Sequence, residues 1–243
     1  MDLHAALEEQ AQGWEDRPLV RRLYGEWYEL IVSRLSTAPG SSVEIGSGIG
    51  KLREFAGGRV ELTDVEPTPW VDRVVDAMAL PYADGSLANI VMLDVFHHLP
   101  DPARFLDEAA RTLVPGGRVV MVEPYCSPIS APLFRRFHHE RTDLHADPFA
   151  PDDAIGSPME SNQARPTLVF FRHREEYEAH WPTLPVRERV RFSFLVYPLS
   201  GGFTRPSIIP ARLASPLLAV ERALAPLAPL LAFRCLVVLE HES

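Results

Sequence analysis

The sequence predicts an α/β protein built on a doubly wound, mostly parallel sheet. Three observations point to it. Ser42-Val43-Glu44-Ile45 is a short strand-like run that enters a glycine-rich turn, Gly46-Ser47-Gly48-Ile49-Gly50. A second such run, Val60-Glu61-Leu62-Thr63, ends in Asp64, eighteen residues past Gly46. Strand-like segments near 42–46, 59–63, 72–75, 89–94 and 118–123 alternate with helical ones, the pattern of a parallel sheet. A chain of 243 residues can bury most of its apolar surface as one such domain, so 1–243 reads as a single unit.

Taken in order, residues 1–37 predict N-terminal lid helices. Leu19, Leu23, Trp27, Leu30, Ile31 and Leu35 form a helical stripe with Pro18 at its first turn, and this helix is expected across the mouth of the strand ends. Tyr24, Trp27 and Tyr28 on that stripe read as core packing. Residues 38–123 form the core around the glycine turn. Between Asp64 and the third strand, Pro67 and Pro69 oppose a helix, so a loop is expected. Asp101-Pro102 supplies an N-cap and a first-turn proline for a helix through Leu113 that buries Phe105, Ala109 and Leu113, and Pro115-Gly116-Gly117 stops it.

After Glu123 the texture changes. Prolines and histidines accumulate over 124–185, which reads as a cap carrying substrate specificity, with an acidic, turn-rich lid over 143–161. The last part, 186–243, holds two more strands, 189–197 and 233–240, for seven in all. Between them Leu213, Leu217, Val220, Leu224, Leu227 and Leu231 recur at three and four residues and predict a helix packed on the sheet. A membrane span is disfavoured there because Glu221, Arg222, Pro226 and Pro229 interrupt it, which leaves at most a weak contact with a membrane surface.

Right-handed crossovers bring Gly46 to Gly50, Asp64, Asp76, Asp94 and Glu123 to one sheet edge, where glycines admit a ligand to backbone N–H groups and a carboxylate can accept from a ribose diol. Lys51 stands where a dinucleotide fingerprint needs its last glycine. Ile45 and Leu52 stand where a phosphate loop needs Gly and Ser or Thr. A nucleoside cofactor other than a dinucleotide or a nucleoside triphosphate remains.

Glu44-Ile45-Gly46-Ser47-Gly48-Ile49-Gly50 after a strand resembles motif I of the class I S-adenosylmethionine-dependent methyltransferases. The resemblance continues through the first half of the chain, in Asp76-Ala77-Met78-Ala79-Leu80-Pro81, in Leu93-Asp94-Val95-Phe96-His97-His98-Leu99 and in Leu113-Val114-Pro115-Gly116-Gly117. It implies S-adenosyl-L-methionine as cofactor and a Rossmann-like sheet whose last strand is antiparallel. It also implies that Glu44, Gly46, Ser47 and Gly48 hold the methionine part, Asp64 and Val65 the ribose, and Asp76 and Ala77 the adenine. Asp94 and Val95 line the cofactor. The chain departs from the family's pattern in the missing helix after Asp64, where Trp70 is expected near the adenine or the core.

For proton removal the candidate bases are His97, His98 and the cap histidines, His139 among them; the resemblance implies that His97 faces the acceptor and that His98 supports the cofactor loop. Phe137-His138-His139-Glu140, with His145, could begin a metal site, but adjacent helical histidines diverge by about 100° and no metal is expected. A formal charge of −9 without a basic stripe excludes nucleic acid as partner. Two cysteines far apart, Cys126 and Cys235, suit buried thiols in a reducing compartment, and the acidic N-terminus does not look like a signal peptide, so a cytoplasmic protein is expected. Lys51 is the sole lysine among the basic residues, a bias that fits a GC-rich bacterial genome. The function expected is methylation, preferentially at oxygen, of a small molecule, a biosynthetic intermediate or a lipid or glycan precursor. The alternative is an inactive cofactor-binding regulatory or scaffold module. The oligomeric state is not encoded in any motif.

Overall fold

The computed structural model describes residues 3–203 and 205–242. Seven strands form one sheet: β1 (Ser41–Ile45), β2 (Glu61–Asp64), β3 (Arg73–Val74), β4 (Leu87–Leu93), β5 (Leu113–Pro124), β6 (Val186–Phe192) and β7 (Arg234–Glu240). Their order is β3-β2-β1-β4-β5-β7-β6. The pairs from β3 to β5 are parallel, and β7 runs antiparallel to both its neighbours. Chain order reverses between β1 and β4, which opens a crevice at their carboxyl ends.

The N-terminal helices are α1 (Leu3–Asp16) and α2 (Pro18–Val32), with Pro18 in the first turn of α2. Next come α3 (Leu52–Ala56) after the glycine turn and α4 (Pro102–Thr112), whose N-cap Asp101 accepts from Arg104 N–H at 3.0 Å. The cap contains α5 (Ser130–Phe137), α6 (Arg165–Thr167) running into a π turn over Leu168–Arg172, and α7 (Arg174–His180). Then follow α8 (Val196–Ser200), α9 (Ala214–Ala223) and α10 (Ala228–Leu231). Every residue of β4 is buried because both sheet faces are covered. Ile90 and Met92 meet Phe96, Phe105 and Phe170 on one face, while Val91 and Leu93 meet Leu23, Trp27 and Ile31 of α2 on the other.

As expected, 65–72 contains no helix and 143–161 is turn and bend. The penultimate strand differs: it spans Val186–Phe192, and 196–200 is helical. Ser193 takes φ 61°, which ends the strand. The Glu221 carboxylate then accepts from Leu195 N–H at 2.5 Å and Val196 N–H at 2.6 Å and starts α8. Glu221 also overturns the expectation for the leucine-rich segment. Burying that carboxylate turns Ala214 and Leu218 inward and leaves Leu213, Val220, Leu224 and Leu227 exposed. The segment also breaks at its prolines into a bent pair, Ala211–Ala223 and Ala225–Leu231, at 69°. No single helix among the described residues is long and apolar enough to cross a membrane. Leu113, expected to end a helix, pairs instead with Leu87, and residues 114–117 bulge before Arg118 pairs with Asn89.

Candidate active site

At the exit of β1, Gly46, Gly48 and Gly50 take φ of 66°, 51° and 67°, a region that favours glycine. At Gly46 a Cβ would fall 2.4 Å from Val95 Cγ2, so Val95 packs directly on the turn. Ser47 N–H donates to Thr63 O at 2.8 Å and Gly48 N–H to Asp64 Oδ2 at 2.9 Å, which ties the turn to the end of β2. Asp64 Oδ1 accepts from Glu66 N–H at 3.2 Å, and an ionised carboxylate retains further lone pairs for a diol. Val65 beside it is exposed, while Asp76 and Ala77 lie one strand further out, past β3, with Asp76 Oδ1 accepting from Met78 N–H at 2.8 Å. Trp70 settles against the glycine turn, its carbonyl 2.8 Å from where a Gly50 Cβ would stand, and joins the core on that side of the sheet.

Glu44 is buried beneath the turn and its Oε2 has no hydrogen-bond partner. Burial pushes its pKa up to about 8; the Ser47 hydroxyl opposes the shift and the Asp64 charge adds to it. Leu7 of α1 reaches within 3.5 Å of a Gly48 Cβ position, so α1 roofs the turn. A buried acid with an unmatched oxygen, a turn that only glycines shape and a strand-end carboxylate fit an amino acid joined to a nucleoside.

At the end of β4, Asp94 takes φ 59°, and its carboxylate pairs with Arg234 Nη1 of β7 and accepts from Tyr24 OH at 3.2 Å. Arg234 is 4% exposed, lies over the rings of Trp27 at 4.8 Å and Tyr197 at 4.5 Å, and donates to Tyr197 OH at 2.8 Å. Burial disfavours its charge, but Asp94 and the two tyrosines hold its pKa well above the usual range. Sequence reasoning assigned Asp94 to the cofactor wall but left Arg234 and Tyr197 unassigned. An arginine inside the apolar run of β7 was the available signal.

The next turn holds the histidines. Glu123 of β5, fully buried, accepts from Val95 N–H at 2.9 Å and Phe96 N–H at 2.8 Å, and contacts His97 Nδ1 at 2.6 Å. His97 Nε2 stands 3.6 Å from Glu140, and burial, which opposes its charge, is outweighed by the two carboxylates, raising its pKa to about 10. His97 is therefore enclosed, with Nδ1 held by Glu123 and Nε2 facing Glu140. His98 Nδ1 donates to Glu160 O at 3.1 Å while its Nε2 faces Glu140 at 3.5 Å; burial and the neighbouring His97 lower its pKa to about 4. His138 and the exposed His139 approach Glu140 from the other side at 3.5 and 3.7 Å. Four imidazoles thus surround one carboxylate, while His145 joins no such group among the described residues. The sequence placed His138 and His139 beside Glu140, but their meeting with His97 and His98 depends on the cap folding back.

The sheet order, with β7 inserted antiparallel between β5 and β6, and the site at the β1/β4 switch define the Rossmann-like fold of class I methyltransferases. Residues 43–121 match the methyltransferase domain family. Over 92 residues it is 39% identical to 27-O-demethylrifamycin SV methyltransferase of Amycolatopsis mediterranei, a match covering 36% of this chain and 32% of that one. It is 31% identical over 117 residues to methyltransferase GfsG of Streptomyces halstedii, covering 39% of this chain and 42% of that protein. The chain thus matches well under half the length of these curated relatives. Among solved structures, geranyl diphosphate C-methyltransferase from Streptomyces coelicolor, in complex with Mg2+, geranyl diphosphate and S-adenosyl-L-homocysteine, superposes with a TM-score of 0.53 at 15% identity, covering 91% of this chain and 81% of that one. A Haloferax volcanii methyltransferase bound to the Trm112 activator superposes at 0.55 with 19% identity, over 98% and 96%. At these identities the likeness is one of fold.

Proposed function

We propose that this chain is an S-adenosylmethionine-dependent methyltransferase acting on a small molecule, with oxygen as the preferred acceptor atom. The observation that supports it most is the joined unit of the glycine turn, Asp64 and the unmatched acid Glu44. Glu44 and the backbone of Gly46 to Gly48 would hold the amino-acid part, Asp64 with Val65 the ribose, and Asp76 with Ala77 the adenine, while Val95 and Asp94 close the inner wall. Bound there, the cofactor supplies a methyl group already activated on a sulfonium. The chain's own contribution is alignment and the exclusion of water by α1 and α2, together as much as about 7–11 kcal/mol when alignment is good. The acceptor's proton leaves to the histidine centre. His97 orders that centre from its enclosed position, and His98 and His139 are the members nearer solvent.

Calorimetric titration with S-adenosylmethionine is expected to give saturable binding that Asp64→Ala weakens roughly ten- to a hundred-fold, since a hydrogen bond to a charged group contributes about 1.5–3 kcal/mol. An unchanged affinity removes Asp64 from the site. Product trapping from labelled cofactor against a metabolite panel then tests turnover. Binding without transfer to any acceptor would make the chain a regulatory or scaffold module.

The exposed Leu213, Val220, Leu224, Leu227 and Leu230 support weak contact with a membrane surface, which fits an acceptor on a lipid or glycan-lipid precursor. Partial co-sedimentation with phosphatidylglycerol vesicles is expected, and Leu224→Glu with Leu227→Glu should abolish it; no sedimentation of the parent chain counts against the contact. Two buried free thiols, Cys126 and Cys235, support a reducing, cytoplasmic setting.

A further inference from the structure

We propose that Nε2 of His97, Nε2 of His98 and the carboxylate of Glu140 form a binding site for a zinc-class divalent cation. The spacing comes first. His97 Nε2 to Glu140 Oε2 is 3.6 Å and His98 Nε2 to Glu140 Oε1 is 3.5 Å, and all the ligating atoms lie within 4.8 Å of one another. These separations are too long for hydrogen bonds. They are close to the edge of roughly 3.3 Å that a tetrahedron with metal–ligand bonds of about 2.0–2.1 Å requires.

The other ring nitrogens supply the second, independent observation. A ligating imidazole ordinarily gives its remaining N–H to a carboxylate or a backbone carbonyl, which fixes the tautomer and aims the lone pair. Both histidines do this. His97 Nδ1 meets Glu123 Oε2 at 2.6 Å, and His98 Nδ1 meets the Glu160 carbonyl at 3.1 Å. A carbonyl can only accept, so the neutral His98 ring carries its lone pair on Nε2, directed at Glu140. Glu140 is itself tethered by Gln163 Nε2. His138 is less suited, because its Nδ1 already accepts from Glu140 N–H at 3.3 Å.

Two imidazoles and one carboxylate match a zinc set with an open fourth position, and imidazole nitrogen favours zinc, cobalt or nickel over magnesium or calcium. His97 is almost fully enclosed, whereas the His98 side chain is 23% exposed, which gives a cation a way in. The open position suits an acceptor oxygen, and only that use rests on the proposed methyl transfer; the binding of a cation does not.

The experiment uses tag-free full-length chain, stripped with chelator and titrated with Zn2+ by calorimetry and with Co2+ by visible absorption. One ion per chain is expected, with cobalt ligand-field bands of a four- or five-coordinate site. His98→Ala and Glu140→Gln should each weaken binding by more than about a hundred-fold, beyond the 10–100-fold that losing an outer partner costs. His173→Ala, at a surface histidine outside the cluster, should leave it unchanged. Circular dichroism and S-adenosylmethionine titration on the same preparations report folding and the cofactor site separately. A folded parent chain that takes up no Zn2+ or Co2+, or one whose uptake survives His98→Ala, overturns the site and leaves the methyltransferase reading standing.

Discussion

Asp94→Asn is expected to lower the stability of the chain by about 3–5 kcal/mol, the range for removing one partner of a buried ion pair. The size follows from Arg234 more than from Asp94. Arg234 is 4% exposed and enclosed by Trp27 and Tyr197, so its charge depends on the one carboxylate that faces it, although the Asp94 side chain itself is 23% exposed. The hydrogen bond from Tyr24 OH is the smaller contribution. Tyr24→Phe removes it alone and should cost only about 1 kcal/mol. Adding Arg234→Met to Asp94→Asn is expected to recover most of the loss, because an apolar chain of similar length fills the aromatic slot without a stranded charge. Urea unfolding of the four proteins decides it. A loss below about 1 kcal/mol for Asp94→Asn would show that Arg234 finds solvent or another acceptor.

Glu44 is expected to make stability fall as pH rises from about 4.3 to about 8, so the stability of the parent chain relative to Glu44→Gln should decline across this range. The carboxyl is neutral in the fold up to about pH 8, whereas in the unfolded chain it ionises near 4.3. Between these values the native state holds one proton more than the unfolded state, so raising pH favours unfolding by up to about 1.4 kcal/mol per pH unit. The loss is absent below the unfolded value and complete above the folded one. Glutamine keeps the neutral shape and has nothing to titrate. The proposed contact with the cofactor's ammonium adds that binding should release a proton below pH 8, read as a buffer-dependent calorimetric enthalpy. A stability difference between the parent chain and Glu44→Gln that does not change with pH across this range would mean that Glu44 is ionised and solvated.

Much of the fold was legible because its signals are local. The glycine turn, the Asp101 cap and the proline-blocked loop after Asp64 each act within a few residues of their own position. What was misread depended on partners far along the chain. The strand expected over 189–197 ends at Ser193, and Glu221 turns its carboxylate in to the N–H groups of Leu195 and Val196, which starts α8 and leaves Leu213, Val220, Leu224 and Leu227 exposed. Periodicity counts apolar residues and does not register that a buried acid can decide which helix face turns in. At the site, Tyr24 and Trp27 looked like core packing, and packing describes Trp27 well; their polar role appears only with Arg234 in place.

The sequence by itself determined the glycine-turn end of this protein: a β1 exit that only glycines can shape, Asp64 at the end of β2, and the order of segments that aligns them. Those features follow from backbone sterics and strand order, which are written locally. Only the tertiary structure decided the histidine cluster. Glu123 from β5, His97 and His98 from the turn after β4, and Glu140 from the cap meet because the cap folds back over the sheet edge, and charges brought together that way set one another's protonation and ligand geometry at distances no spacing in the sequence records.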